Sequence, residues 1–353
     1  MTIDRYLIRQ ISAGLFIATL VLIPLFSFLD LLEQLDDVGE GFYQIEDAFL
    51  YVALLLPRRF IQLAPFIALL GNVAALGRLA INSELIVMRS AGLSPARISL
   101  SSLKVGLALL LVLGILEQFV APPLQQMAIT HRSEALAQSA ELSKDLGIWT
   151  RDNQHILRMG AKEIGRRVSD IEILNLDENG FLIEHIRAES ANIVSADEWV
   201  LYDVTKKTIN EESVISQRFY SLSWKPFLNP DQVSTLTKPA ESLSLTDLYR
   251  YVRYLHTTGQ QEQAYSLVLW RKLGGGLTTI AMVLLSVPFV FGSIRSGIGN
   301  RLVLAGVTGI AVYLLDQIIA NAGLLLDLSP ALVALVPGVL LIFIAKIWLQ
   351  RIP

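Results

Sequence analysis

Cysteine is absent from the 353-residue chain. That excludes disulfides, cysteine-ligated iron–sulfur clusters and thiol catalysis, and it suits a domain that meets an oxidising compartment. Charge is also scarce, with 17% of residues Asp, Glu, Lys or Arg, where soluble proteins carry about a quarter. A net charge of −3 argues against nucleic-acid binding, which needs a basic stripe. The four histidines, His131, His155, His185 and His256, have no metal-ligand spacing. No G-x-x-x-x-G-K-[ST] segment occurs, so the chain does not hydrolyse ATP itself. No Ser/His/Asp grouping, internal repeat or low-complexity tract stands out. Gly274-Gly275-Gly276 opens an apolar run, where close helix packing explains it better than phosphate binding.

What the chain has in excess is apolar sequence, 53% of it, gathered into runs of the roughly 20 residues a helix needs to cross a bilayer. Six spans are expected. The first is 11–32, read as uncleaved because its apolar core is longer than a signal peptide's and no small-residue cleavage site ends it. The apolar stretch 48–79 is interrupted by Pro57-Arg58-Arg59. Two cations at the bilayer centre would cost about 2.5–3.5 kcal/mol each, so 44–57 is placed at the interface and the second span begins near Phe60. The third covers 100–121 and ends at Ala121-Pro122-Pro123. Spans four to six are 273–291, 302–322 and 330–349. The expected division is therefore 1–123 with three spans, 124–262 as an inserted domain, and 263–353 with three more.

Lys/Arg bias in short loops orients the spans. One side carries Arg5, Arg9, Arg78, Arg89, Arg97, Lys104, Arg295, Arg301, Lys346 and Arg351, while the loop after the first span holds only acids, among them Glu33, Asp36, Asp37 and Glu40. Both termini are expected in the cytoplasm and the inserted domain outside. Within that domain 147–160, 168–176, 181–186, 199–205 and 214–224 read as strands, with Asp177-Glu178-Asn179-Gly180 as a turn. Short strands at about ten-residue spacing suggest an all-β sandwich or jelly roll. Leu245, Leu248, Val252 and Leu255 have helical spacing, with Ser244 as N-cap and Gly259 as the C′ residue.

Three groups of residues carry candidate chemistry. The cytoplasmic segment 82–92 reads as a short amphipathic helix in which Leu85, Met88 and Ala91 share a face and Gly92 ends it in the left-handed region. Ser94-Pro95 then restarts a helix. Such an element suits the docking of a cytoplasmic motor, with Glu84 pairing to a basic residue of the partner; the alternative is a helix lying on lipid. Arg58, Arg59 and Arg132 should sit just outside the hydrocarbon, where guanidinium groups suit phosphate; the alternative is ordinary anchoring of helix ends. Glu117 and the Asp316-Gln317…Asn321 group lie in or near spans three and five. Intramembrane ionisable groups face a cavity or a protein partner, and interhelical hydrogen bonding is the favoured reading.

The order of several segments resembles the LptF/LptG family of lipopolysaccharide-export permeases over essentially the whole chain, on the LptG side of that family. These are Leu76-Gly77-Arg78-Leu79-Ala80 running into Ser83–Arg89, then Gly147-Ile148-Trp149, Leu248–Leu255, Ser266–Trp270, Pro288–Ser296 and Tyr313–Ile318. The resemblance implies an α-helical polytopic inner-membrane protein of six spans with an inserted periplasmic β-jelly roll. It implies a heterodimer with an LptF-like permease, an LptB-like ATPase dimer that uses the ATP and Mg, and an LptC-like bridge protein. It further implies that lipopolysaccharide is extracted from the outer leaflet into a cavity and passed on through the β-domains. On this resemblance Glu84, with Leu85, Met88, Arg89 and Gly92, forms the ATPase-coupling helix, and Arg58 and Arg132 match basic positions facing lipid phosphates. Asp30 stands where some relatives carry a basic residue, which argues against a direct phosphate contact there and leaves a cation-bridged one open, and Asp36 and Asp37 point the same way. Two other classes stay open: a membrane scaffold whose β-domain docks periplasmic partners, and a lipid-modifying enzyme using Glu117 or Asp316. A lipoprotein-releasing exporter is a related rival, with fewer spans and a differently placed domain.

Overall fold

The computed structural model describes residues 2–136, 148–225, 239–257, 262–291 and 298–351, except 153, 161–162, 165–166, 178–179, 196–197 and 210–212. Six helical spans among these residues are long and apolar enough to cross a membrane. The first, α1 (Thr2–Leu35), is followed by α2 (Ile45–Ile81). The short α3 (Glu84–Ser90) leads into α4 (Pro95–Ile115), a π-turn (Leu116–Val120) and α5 (Ala121–Leu136), which together make the third span. Beyond the inserted domain come α6 (Leu245–Thr257), α7 (Gln263–Phe291), α8 (Ile298–Leu325) and α9 (Pro330–Gln350).

Two boundaries differ from expectation. α2 runs unbroken through Pro57-Arg58-Arg59, so the interfacial segment expected over 44–57 and the span expected from Phe60 are one continuous helix. At 1.5 Å per residue its 37 residues reach about 55 Å, so roughly 25 Å of it extends beyond a hydrocarbon layer of about 30 Å. The two arginines are tolerated because each meets an acid, as described below. The third span likewise continues past Pro122-Pro123 to Leu136. The π-turn just before the two prolines already loosens the i→i−4 ladder, where their missing N–H groups cost least.

The helices close around α2 and α7, whose apolar windows are mostly buried, whereas α1 and α8 are almost wholly at the surface. Small residues bring α1 onto α2: a Cβ at Gly71 would stand 2.7 Å from Leu15 Cα and one at Gly14 2.3 Å from the Gly71 carbonyl oxygen. Polar glue supplements this packing. Buried Asn72 of α2 donates to the Val283 carbonyl of α7 (3.2 Å) and accepts from Ser102 of α4 (3.3 Å), which satisfies groups that lipid would leave unpaired.

The inserted domain is all-β. Its strands are β1 (Ile148–Asp152), β2 (His155–Met159), β3 (Glu163–Ile164), β4 (Arg167–Leu176), β5 (Leu182–Ser195), β6 (Glu198–Ile209) and β7 (Val214–Trp224). They pair antiparallel in the order β1-β2-β4-β5-β6-β7, with β3 on β4. The single strand expected over 147–160 is thus a hairpin; Gly147, Glu178 and Asn179 of the expected motifs, Gly259 of the expected helix end and Arg295 of the basic loops lie outside the described residues.

One level of the sheet breaks the two-residue alternation. Buried positions run Val168 then Ile171 on β4, Ala188 then Ala191 on β5, and Leu201 then Val204 on β6. At the same level pairing skips Asp170, Glu189 and Asp203, and both aspartates have positive φ, 48° and 52°. A slip of one residue on neighbouring strands turns the sheet while keeping its apolar face inward. Both halves therefore share one core around fully buried Trp199, which meets Trp224 edge-on at 5.7 Å.

Candidate functional site

The first site is built at the ends of α1, α2 and α3. Leu85 is buried and Met88 is partly buried against the helical core, while Ile86, Val87 and Ala91 are exposed. The face that spacing assigns to docking, Leu85 and Met88, therefore holds α3 onto its own bundle, and the outward apolar pair is Ile86-Val87. Spacing alone did not distinguish them, since both faces carry large apolar residues. Gly92 takes φ +90° with no atom near its missing Cβ, so it ends the helix as expected. Ser94 caps α4 through the Arg97 N–H at 3.3 Å, with Pro95 in the first turn.

Glu84 is held from two directions. The Tyr6 hydroxyl of α1 donates to its Oε2 at 2.7 Å, and Asn82 Nδ2 reaches its Oε1 at 3.4 Å. Asp4 of α1 also faces Arg97 of α4 at 3.9 Å. The cytoplasm-assigned end of α1 is thus tied to both sides of the α3 loop. Arg89 sits over the Phe291 ring, 5.7 Å from its centroid, a cation–π contact with the end of α7. Ser83, before α3, has φ 63°; a left-handed non-glycine residue stores strain at this joint.

The second site lies at the other end of the bundle, where every cation singled out from sequence meets a carboxylate. Arg59 forms a two-point pair with Asp30 of α1, Nε to Oδ2 at 2.7 Å and Nη2 to Oδ1, and also donates to Gln62 at 2.9 Å. Arg132 of α5 pairs with Asp37 and lies over Tyr51 at 5.8 Å. Burial raises the pKa of nearby Tyr43, whose hydroxyl donates to Gln34 at 3.3 Å. Arg271 of α7 meets Asp316 of α8 at 2.8 Å, a cation that sequence reading did not assign; Gln317 is bonded to the Tyr313 hydroxyl at 3.2 Å.

Arg58 points inward. Its Nη1 donates to both oxygens of Glu117 at 3.1 and 3.2 Å, and Lys272 of α7 joins the same carboxylate. Glu117 stands on the π-turn and is buried, in keeping with an interhelical role. Lys272 was not singled out from sequence. It begins the apolar run of span four, and its partners lie 29 to 155 residues away.

Among the described residues no group of three or more His, Asp or Glu side chains is arranged to hold a metal. His185 contacts Glu172 at 2.7 Å, His256 contacts Glu262 at 3.2 Å, and His131 faces Asp47 at 3.8 Å, so each imidazole lies against a carboxylate.

Comparison with known proteins adds two findings. The model of the lipopolysaccharide export system permease family LptF/LptG matches residues 5–351. The chain is 31% identical over 350 residues to the lipopolysaccharide export system permease protein LptG of Haemophilus influenzae, covering 98% of this chain and 97% of that protein. It is 29% identical over the same length to the protein of that name from Escherichia coli K12, again 98% and 97% of the two chains.

Proposed function

The chain belongs to the LptF/LptG family of lipopolysaccharide export system permeases, and from that membership we propose that it is the LptG-like half of an ABC transporter that extracts lipopolysaccharide from the inner membrane. The observation that carries this reading is the match over residues 5–351, because it takes in both helical halves and the β-domain between them. Both termini lie in the cytoplasm and the β-domain in the periplasm, in line with the Lys/Arg bias. An LptF-like subunit meets the exposed apolar surfaces of α1 and α8. An LptB-like ATPase dimer, which binds the ATP and Mg, docks on α3, and an LptC-like bridge receives the lipid from the β-domains.

The geometry supports a division of labour. Glu84, oriented by Tyr6, presents its second oxygen to a basic residue of the ATPase, while Ile86 and Val87 enter its groove and Leu85, Met88 and Arg89 keep α3 on the bundle. ATP-driven closure moves α3 and, through Tyr6, the end of α1. Arg59 and Arg132 at the rim hold lipid phosphates by exchanging their internal acids, Asp30 and Asp37, for the ligand. Arg58 contributes to this field from a more buried position, through the cluster with Glu117.

Co-purification of the tagged chain from membranes, wild type against Glu84→Arg, tests the reading. An ATPase, a second six-span subunit and lipopolysaccharide should accompany the wild type, and the variant should lose the ATPase. If the variant keeps both its ATPase and its function, docking through Glu84 is wrong. The membrane-scaffold alternative then moves ahead.

A further inference from the structure

The Lys272 side chain is 4% exposed, against 7% for Glu117 and 15% for Arg58. An ammonium has three N–H donors, and here each has an acceptor: Glu117 Oε1, the Glu241 carbonyl at 3.1 Å and the Leu243 carbonyl at 2.8 Å. The carbonyl between those two, that of Ser242, accepts from Gln126 of α5 at 2.9 Å. Three consecutive carbonyls, Glu241, Ser242 and Leu243, are thus taken by side chains of the third and fourth spans.

These carbonyls belong to a one-turn 3₁₀ segment (Ala240–Ser242) that carries the chain from the β-domain to α6. The stem is not held by apolar packing alone. Ser242 is fully buried and its hydroxyl folds back on the Pro239 carbonyl at 2.8 Å. Leu243 packs with Leu248 and Leu269, and Tyr251 of α6 meets Tyr265 of α7 at 4.8 Å. Beneath the stem the same ammonium is joined through Glu117 to Arg58, so α2, the π-turn and α7 converge on one point. A π-turn in a span commonly marks a functional position, and this one presents the carboxylate.

We infer that Lys272 is the positioning residue that couples the helices to the β-domain: it fixes the stem at 239–243 to the bundle, so that a shift of α7 against α2 turns the β-domain. This deepens the proposed transport reading and rests on it. The charge balance makes the idea separable from a purely structural role. The trio carries two cations and one anion, so removing Lys272 leaves Arg58–Glu117 as a neutral, bonded pair, whereas removing Glu117 leaves two cations buried together. Lys272→Met, which fills similar volume, should therefore fold, while the stem loses two charge-assisted bonds.

The experiment uses the full transporter with its partners in lipid vesicles, measuring ATP hydrolysis, lipopolysaccharide handed to the bridge protein, and backbone amide exchange over 239–245. Lys272→Met should assemble and hydrolyse ATP within about twofold of wild type. Loss of two hydrogen bonds from a charged donor, each worth about a decade or more, should raise stem exchange about a hundredfold and lower lipid handed over per ATP about tenfold. Gln126→Leu, which frees only the Ser242 carbonyl, should move both readouts the same way by about 2–12-fold, and it judges the idea if Lys272→Met fails to assemble. Unchanged stem exchange, or handover per ATP within twofold of wild type in an assembled variant, overturns the inference. So does a fall in assembly, hydrolysis and handover in equal proportion, which marks a structural role only. A wild-type transporter that hands over no lipid refutes the transport reading instead, and stem exchange then still judges the role of Lys272.

Discussion

Replacing Asp30 by Asn tests how the rim arginines meet phosphate. Asp30 accepts two contacts from Arg59, one at 2.7 Å, and the two side chains are 19% and 29% exposed. Fully exposed pairs contribute about 0.2–1 kcal/mol, and two-point arginine–carboxylate geometry with partial burial lifts this to about 1–2 kcal/mol after allowing for solvent screening. A lipid phosphate that binds the Arg59 guanidinium must displace Asp30 and loses that amount. Asp30→Asn keeps the shape and removes the competing charge, so lipopolysaccharide affinity should rise about 5–30-fold at 1.4 kcal/mol per decade. Arg59→Gln should lower it, and lower it further in the Asp30→Asn background than in wild type. The assay is equilibrium binding of lipopolysaccharide to the purified complex in nanodiscs, with and without a divalent-cation chelator. A fall in affinity for Asp30→Asn, together with loss of wild-type binding on chelation, would refute direct exchange. It would assign Asp30 the role of holding a bridging cation.

Two further perturbations probe the frame. Gly71→Ala places a Cβ 2.7 Å from backbone of α1, where no flexible side chain can yield; overpacking of about 1–3 kcal/mol should lower the thermal midpoint of the purified complex, and an unchanged midpoint would show that the helices part freely. Tyr6→Phe removes the hydrogen bond that orients Glu84, so ATPase retention on co-purification should fall about severalfold. Glu84→Gln with Tyr6→Phe should lose little more than Glu84→Gln alone; full additivity would mean that Tyr6 acts elsewhere.

Much of this architecture is local and so is legible in order of sequence. Bilayer-length apolar runs specify the spans. The Ser94-Pro95 start, the Gly92 stop and the Ser244 cap, where the Asp247 N–H reaches the Ser244 hydroxyl at 3.2 Å, each involve residues within one turn. Alternation found β7 at Val214–Trp224, and the family resemblance rested on the order of such segments. The same local logic did not foresee that one helix runs through Pro57-Arg58-Arg59. Two cations break a span only if they are alone, and their acids, Asp30 and Glu117, are 29 and 59 residues away. It failed again at Pro122-Pro123, where a preceding π-turn made room for the prolines.

What the sequence by itself determined is the class of the molecule: six apolar spans, an all-β insertion and the family. Hydrophobic length, turn chemistry and motif order are written into neighbouring residues. What only the tertiary structure decided is which groups face each other. Leu85 and Met88 turn inward because the bundle offers α3 a core to pack on, and periodicity marks faces without saying which neighbour they meet. Tyr6 meets Glu84 across 78 residues and Lys272 meets Glu117 across 155. Burying a charge is tolerable only when its partner is in place, so the sites of this protein are properties of the assembled bundle.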